Sequence, residues 1–514
     1  MKIFSAQQIY DADNFTITKQ DISSDILMER SALRIFEWMH QRLQGAQVKI
    51  HLFCGIGNNG GDGIALARYL QENGYDIKVY VVNYSEKRSK DFLINLDRLK
   101  DRKLWPEFLD GNHDAPKVQR EDIVVDAIFG IGLNRPPAPW VGELIGHLNV
   151  SGAFTLAVDI PSGMFMERIP ENPEHVIRAN YVLSFQAPKI PFFLPQTGIY
   201  VNQWELLDIG LDAEYLLTTQ TAFEFIGKPE VLPMYIPRLK FTHKGTYGHV
   251  LAIGGSKGKI GAIRLASEAA LTTGAGRVTA QIPKCGYLPL QTSVPEVMVE
   301  ADDQEDFLTN FFVSDSHSVV CLGMGMGQED KTVSAFNRFI KQYTGPLVID
   351  ADGLNILAKH PELKGHLPKD AILTPHPKEL KRLLGDWKDD FEKLELVKAF
   401  SIKYKCIVIL KGAHTIVVQG GKGFINSTGN PGMATAGTGD VLAGMVASFL
   451  AQGYGPLQAS IFAVYLHGLA GDLAIAENGY EAMTASKLID FIGKSFLELF
   501  KRPEPAPEEQ QQQP

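Results

Sequence analysis

Cysteine is scarce in this chain. Four cysteines in 514 residues, Cys54, Cys285, Cys321 and Cys406, lie far apart without a CxxC pair, so neither a disulfide framework nor a zinc site is legible and a reduced compartment fits best. Excess positive charge is missing too. Lys plus Arg number 50 against 59 Asp plus Glu, a formal net charge of -9, with no basic block to neutralise a phosphate backbone, and nucleic acid is not expected as a main partner. No uncharged run approaches the roughly 18 apolar residues of a membrane span. The first residues, MKIFSAQQIYDADNF, place Asp11 and Asp13 where a signal peptide needs its apolar stretch, so the expected location is cytosolic, away from membranes. A chain of 514 residues is too long for one small binding module and corresponds to two to four domains at about 100 to 200 residues each.

What is present is alternation. Short β-branched runs ending in Gly or Asp recur at 48–55, 77–82, 123–130, 155–163 and 181–185, with helical-period stretches such as 64–74 between them. This pattern predicts a parallel sheet covered by helices on both faces. After Leu211 it lapses into a polar, proline-bearing stretch, and a second α/β series begins at 249–255 and continues through 277–283, 318–323, 346–353, 371–377 and 407–418. The two series share no motif order, which indicates a fusion of unlike domains rather than a repeat. The expected organisation is a domain over 1–215, a linker over 216–224, a second domain over 225–502, and a disordered tail over 503–514, where PEPAPEEQQQQP offers almost nothing to bury.

In the first series the densest signal is GIGNNGGDG, Gly55 to Gly63, expected directly after a strand and before a helix starting near Ile64. Glycines there let a phosphate approach unpaired backbone N–H groups at a helix start. Asp126 and Asp159 both end apolar strands, where an open parallel sheet borders its ligand crevice, although a strand-end Asp can equally cap the following loop. The loops GIGLNRP, Gly130 to Pro136, and IPSG, ending at Gly163, issue from the same sheet edge.

GIGNNGGDG, VVDAIFGIGLNRP and VDIPSG in this order resemble the NAD(P)H-hydrate epimerase domain, a Rossmann-like fold also called the YjeF N-terminal domain. The family's reaction interconverts the R and S forms of NADHX and NADPHX, nicotinamide coenzymes that have taken up water on the reduced ring. The resemblance implies that Asn58, Asn59, Gly60, Gly61, Asp62, Gly130, Ile131, Gly132, Leu133, Asn134, Arg135, Pro136 and Asp159 line the hydrate pocket. It also implies that Asn59, Asp126 and Ser162 surround a potassium ion, for which neutral and singly charged oxygens are suited. Inversion requires a ring-opened or planar species and proton transfer, so Asp126 or Asp159 is expected as acid or base, and the sequence does not choose between them. The loop also imitates a dehydrogenase fingerprint, but Asn58, Asn59 and Asp62 depart from plain GxGxxG spacing.

In the second series the sharpest feature is GNPGMATAGTGD, Gly429 to Asp440, preceding an apolar helix. Gly437 and Gly439 open the backbone before a helix N-terminus that attracts anions, and Asp440 stands in the first turn as a base for a hydroxyl attacking a phosphoryl group, or simply as a helix cap. KGAHT turns between two β runs and offers a lysine, backbone amides and a hydroxyl. TPHP presents His376 at a strand end, and GGSKGKIGA is a further glycine-rich turn.

Together with KGTYGHVLAIGGSKGKIGA and VIDADGLNIL these motifs resemble the ADP-dependent NAD(P)HX dehydratase domain, which is ribokinase-like, over roughly residues 225 to 500. By that resemblance Ala262, Gly325, His376 and Asp440 contact the hydrate, and Lys411, Gly412, Ala413, His414, Thr415 and Gly439 hold the nucleotide with magnesium. GMGMGQ around Gly325 departs from the usual proline-bearing turn, and Ala436 stands where a further glycine is frequent. The resemblance implies that the S hydrate is phosphorylated on its ring hydroxyl by ADP and then loses phosphate, with Asp440 as base, while the epimerase supplies it from the R form. The alternative is a vitamin kinase of the ribokinase-like group with an N-terminal nucleotide-binding module. A homo-oligomer is compatible with the sequence but not indicated by it.

Overall fold

The computed structural model describes residues 1–502 and divides them into two compact units. The first comprises Met1–Glu224 with Trp387–Leu394, the second Phe225–Asp386 with the chain from Glu395 onward. The tail expected to be disordered lies outside the described residues.

In the seven-stranded sheet of the first unit every pairing is parallel, in the order Glu107–Leu109, Ile77–Val82, Ile50–Cys54, Ile123–Ala127, Phe154–Val158, Ala179–Phe185, Val201–Leu207. The chain winds outward one way from Ile50–Cys54 and the other way from Ile123–Ala127. The switch point therefore lies between these neighbours, and the loops at their carboxyl ends diverge to leave a crevice. The helices Ser24–Leu43, Asn58–Glu72 and Lys90–Asp101 cover one face, and Ile64, Leu66 and Leu70 are fully buried there beside Leu52 and Val125. Each such side chain contributes about 1.5–3 kcal/mol relative to an exposed one.

One expectation is corrected at the glycine-rich turn. The helix begins at Asn58, not near Ile64, so Gly60, Gly61 and Gly63 lie inside its first turns and are buried. Their reason is close approach: a Cβ at Gly60 would fall 1.9 Å from the Gly55 carbonyl oxygen, and one at Gly63 would fall 2.7 Å from both Cys54 Sγ and Ala127 Cβ. These glycines seat the helix on its own strand.

The stretch expected as a linker holds the short helix Ala213–Thr218, capped by the Asp212 carboxylate on Glu214 N and Tyr215 N, and the start of the strand Phe223–Ile226. In the second unit the strands Met298–Ala301, Arg277–Ile282, His249–Ile253, Val319–Leu322, Leu347–Ile349, Ile372–Leu373 and Ile407–Leu410 are parallel neighbours in that order. An antiparallel hairpin, Ile416–Gln419 and Lys422–Asn426, follows.

The helices Ile260–Thr272, Thr438–Ala451 and Pro456–Asn478 pack over this sheet, the second of them apolar nearly all round. Pro456–Asn478 is long and apolar enough by composition to cross a membrane, contrary to the reading of the sequence. Most of its apolar window is buried among Val446, Phe449 and Ile492, as in a core helix. Cys54, Cys321 and Cys406 are buried, and burial pushes all three thiols up, Cys406 to about 12.

Candidate active sites

At the switch point of the first sheet lies a cavity of 780 Å³. Of the residues expected there, Asn58, Asn59, Asp62, Asp159 and the whole loop Gly130, Ile131, Gly132, Leu133, Asn134, Arg135, Pro136 line it. Gly60 and Gly61 do not, being sealed within the helix, and neither Asp126 nor Ser162 does.

Asp126 lies behind the cavity wall with no exposure. Its carboxylate accepts from Ser162 Oγ at 2.5 Å, Ser162 N at 2.8 Å and Ile128 N at 3.3 Å. Burial pushes it up to about 6 while these bonds pull it back. Ser162 Oγ in turn accepts from Phe129 N at 2.8 Å, and Asn59 Nδ2 donates to the Phe129 carbonyl at 3.1 Å. The three residues expected around potassium are thus gathered, and they form one buried carboxylate with no cationic side chain bonded to it and two neutral oxygen donors. That set fits a large monovalent cation better than a small divalent one.

Asp159, itself buried, lines the cavity. Its backbone is left-handed, with φ 63°, a conformation Asp tolerates and that strand-to-loop reversals at ligand sites often require. Oδ1 accepts from Phe185 N at 3.0 Å and Ser184 Oγ at 3.3 Å, and Lys189 Nζ lies 2.7 Å away. Lys189 has no exposure and donates also to the Phe185 and Ala187 carbonyls at 3.0 Å, so its three donors are all engaged. Two further acids line the cavity, Asp13 from the helix Ala6–Gln20 and Asp91 from the helix Lys90–Asp101. Burial, then the Asp159 charge, pushes Asp13 up to about 7, and burial holds Asp62 well above the carboxylate range. Sequence reasoning missed Lys189 and Asp13. Only the three-residue spacing of Tyr10 and Asp13 on one helical face was available to find the latter.

In the second unit Thr438, Gly439 and Asp440 form the first turn of the helix Thr438–Ala451, whose N-cap Gly437 has φ 92°. The Lys411 ammonium sits over Gly439, 3.1 Å from where a Cβ would be, and donates to Asp350 Oδ1 at 2.9 Å. Burial, then the Asp350 charge, pushes Asp440 up to about 7, with Lys411 opposing. His376 caps the helix Pro377–Leu384: Nδ1 accepts from Lys378 N at 3.0 Å and Glu379 N at 3.4 Å, and its pKa is lowered by burial and by Lys411. The ring is therefore neutral with its proton on Nε2.

Gly325, at φ 60°, abuts Lys259 and Ala262, a Cβ there falling 3.1 Å from that of Ala262, and its carbonyl accepts from Ser256 Oγ at 2.8 Å. In the KGAHT turn, Gly412 and Ala413 are exposed, Thr415 Oγ1 lies 3.5 Å from the Gly412 carbonyl, and His414 Nδ1 lies 3.2 Å from the Asn426 carbonyl. Behind the loop before Asp440, the Asp472 carboxylate accepts from Gly429 N at 3.0 Å and Asn430 Nδ2 at 2.9 Å, and His467 Nε2 donates to the Thr438 carbonyl at 2.9 Å. Asp350, Asp472 and His467 were not singled out in the sequence, although VIDADG holds the first. Among the described residues no group of three or more His, Cys, Asp and Glu side chains is arranged to hold a metal ion.

A family model described as YjeF-related protein N-terminus matches residues 24–190, and one described as NAD(P)H-hydrate dehydratase matches residues 250–494. The bifunctional NAD(P)H-hydrate repair enzyme of Moorella thermoacetica is 34% identical over 513 residues, covering 96% of each chain. That of Escherichia coli is 33% identical over 443 residues, 85% of this chain and 83% of its own. Among solved structures, an ADP/ATP-dependent NAD(P)H-hydrate dehydratase from Bacillus subtilis co-crystallized with ATP/Mg2+ is 27% identical, with a TM-score of 0.47 over 54% of this chain and 98% of the other. The two family models match one unit each, the relatives span both, and the chain belongs to the family of bifunctional NAD(P)H-hydrate repair enzymes.

Proposed function

We propose that the chain repairs hydrated nicotinamide coenzymes at two sites in the cytosol. The cavity of the first unit exchanges the R and S forms of NADHX and NADPHX. The cluster around Asp440 dehydrates the S form to NADH or NADPH with ADP, releasing AMP and phosphate. The observation that carries this reading is the similarity to the Moorella thermoacetica repair enzyme over 96% of both chains.

In the epimerase cavity we assign acid–base work to Asp159, which lines the space a ligand would fill, rather than to Asp126, whose oxygens face Ser162 and Ile128. Asn59, Asp126 and Ser162 would hold potassium, which would supply a fixed positive charge behind the Gly130–Pro136 loop. Asn58, Asp62 and that loop present the polar lining, and Ile131, Leu133 and Leu211 the apolar one.

In the dehydratase site the Asp440 carboxylate takes the proton of the ring hydroxyl as that oxygen attacks the β-phosphorus of ADP. The P–O bond to AMP breaks, and the phosphate then leaves carbon together with a ring proton, restoring the double bond. Lys411, paired with Asp350, and the amides of Gly439 and Asp440 carry the phosphoryl charge at the helix N-terminus. Ala262, Gly325 and His376 would bound the hydrate, and Lys411, Gly412, Ala413, His414 and Thr415 the nucleotide. Magnesium, held with the nucleotide beside Lys411–Thr415, would supply positive charge to offset that of the phosphates.

The test is to incubate the whole chain with resolved R and S NADHX and either ADP or ATP while following recovery of reduced-nicotinamide absorbance. Recovery from S alone at first, and from R after a lag, is the expected result. No recovery with either nucleotide would favour the vitamin-kinase alternative.

A further inference from the structure

We infer that the helix Ala6–Gln20 supplies the epimerase cavity with its proton carrier, Asp13, acting beside Asp159. The inference rests on the epimerase reading above and deepens it. This helix precedes the residues 24–190 matched by the family model.

The helix is fixed rather than loose. Ser5 and Gln8 form a capping box, with Gln8 N bonded to Ser5 Oγ at 3.2 Å and Ser5 N to Gln8 Oε1 at 3.0 Å. Ala12 is buried in a cluster with Leu27, Ile209 and Leu211, and Thr16 Oγ1 accepts from Asp212 N at 2.9 Å. From this anchored helix Tyr10 and Asp13, three residues apart, share one face and both line the cavity. The Tyr10 hydroxyl lies against Gly132, 2.3 Å from where a Cβ would sit, so the helix walls off the Gly130–Pro136 loop.

The same cavity holds an acid that has no use for its charge in the fold. Asp62 is 8% exposed, lines the cavity, and its carboxyl makes no hydrogen bond among the described residues. The groups acting on Asp13 are Asp159 and, in opposition, Lys189; Tyr10 neighbours it on its own helix, and Asp62 and Asp91 line the same cavity. Their balance leaves Asp13 able to give or accept a proton near neutrality, which is what inversion at a carbon bearing both nitrogen and hydroxyl requires.

The step is balanced without a co-reactant. Protonated Asp13 gives its proton to the hydroxyl oxygen, and the C–O bond breaks, releasing water. The ring-nitrogen lone pair forms C=N, leaving a planar cation that faces the carboxylates. Water then adds to the opposite face, its oxygen forms the new C–O bond and its spare proton passes to the Asp159 carboxylate, after which proton exchange with solvent returns both carboxyls to their starting states.

The experiment measures R to S exchange by the whole chain, in heavy-oxygen water and across pH, for wild type, Asp13→Asn, Asp13→Glu and, as a control on the exposed side of the helix, Asp11→Asn. Wild type should lose exchange as pH rises through about 7, where Asp13 becomes ionised, and each inversion should place a solvent oxygen in the product. Asp13→Asn should lower kcat about 100-fold or more with KM little changed and abolish that pH limb. Asp13→Glu should restore part of the rate with a displaced limb, and Asp11→Asn should match wild type.

The inference is overturned if Asp13→Asn keeps the wild-type rate or pH profile, if only KM rises, or if inversion occurs without uptake of solvent oxygen. Should Asp13→Asn melt early, Asp13→Glu decides through its pH limb. A wild-type chain that exchanges nothing removes the epimerase reading itself, and this proposal with it.

Discussion

Asp126 and Asp159 look alike in the sequence, each closing an apolar strand, yet their surroundings give them different work. One is sealed behind Ser162; the other is turned into the cavity by a left-handed backbone and held by Lys189. Lys189 sits thirty residues downstream and was invisible to motif reading, because an ion pair across two strand ends leaves no local pattern. Asp13 entered the sequence argument only against a signal peptide.

Asp440 was legible, since GTGD before an apolar helix has a local physical meaning, whereas its neighbour Asp350 comes from a different strand end. Because burial and Asp350 push Asp440 up to about 7, its basic form gains population as pH rises. Dehydration in the proposed mechanism should therefore climb through about that pH. Asp440→Asn should cut dehydration about 100-fold or more while R to S exchange continues unchanged, as paired assays on one preparation would read.

Most of the central strands were readable because buried parallel strands are continuous β-branched runs bounded by glycine and aspartate, whereas short edge strands such as Glu107–Leu109 were not. The helix start at Asn58 was not, because glycine is a poor helix former and a row of glycines reads as loop. There the gain from seating the helix on Ile50–Cys54 outweighs the propensity. The same trade recurs where Thr438–Ala451 crosses Ile260–Thr272: a Cβ at Gly444 would fall 2.1 Å from the Ala266 carbonyl oxygen. Gly444→Ala should destabilise the second unit by about 1–3 kcal/mol through overpacking, visible as a lower denaturant midpoint with little change in slope. The long apolar helix Pro456–Asn478 shows the converse, a composition that fits a bilayer but is satisfied by a protein core.

For the molecule as a whole, three carboxyls, Asp13, Asp126 and Asp440, hold their protons more tightly folded than unfolded. Below 3.8 both states are protonated. From there to about 7 the unfolded chain has released protons that the folded chain retains, so raising pH favours unfolding through these groups. Melting of the unliganded chain should accordingly fall from mildly acid to neutral pH, and the triple Asn variant should flatten that slope. The buried sulfurs offer a way to watch either half give way. Cys54 belongs to the first unit and Cys321 and Cys406 to the second, each closed to alkylating reagents until its own core opens. Peptide mapping after a timed dose of such a reagent would date the loosening of each half on its own clock, with no probe added to the chain.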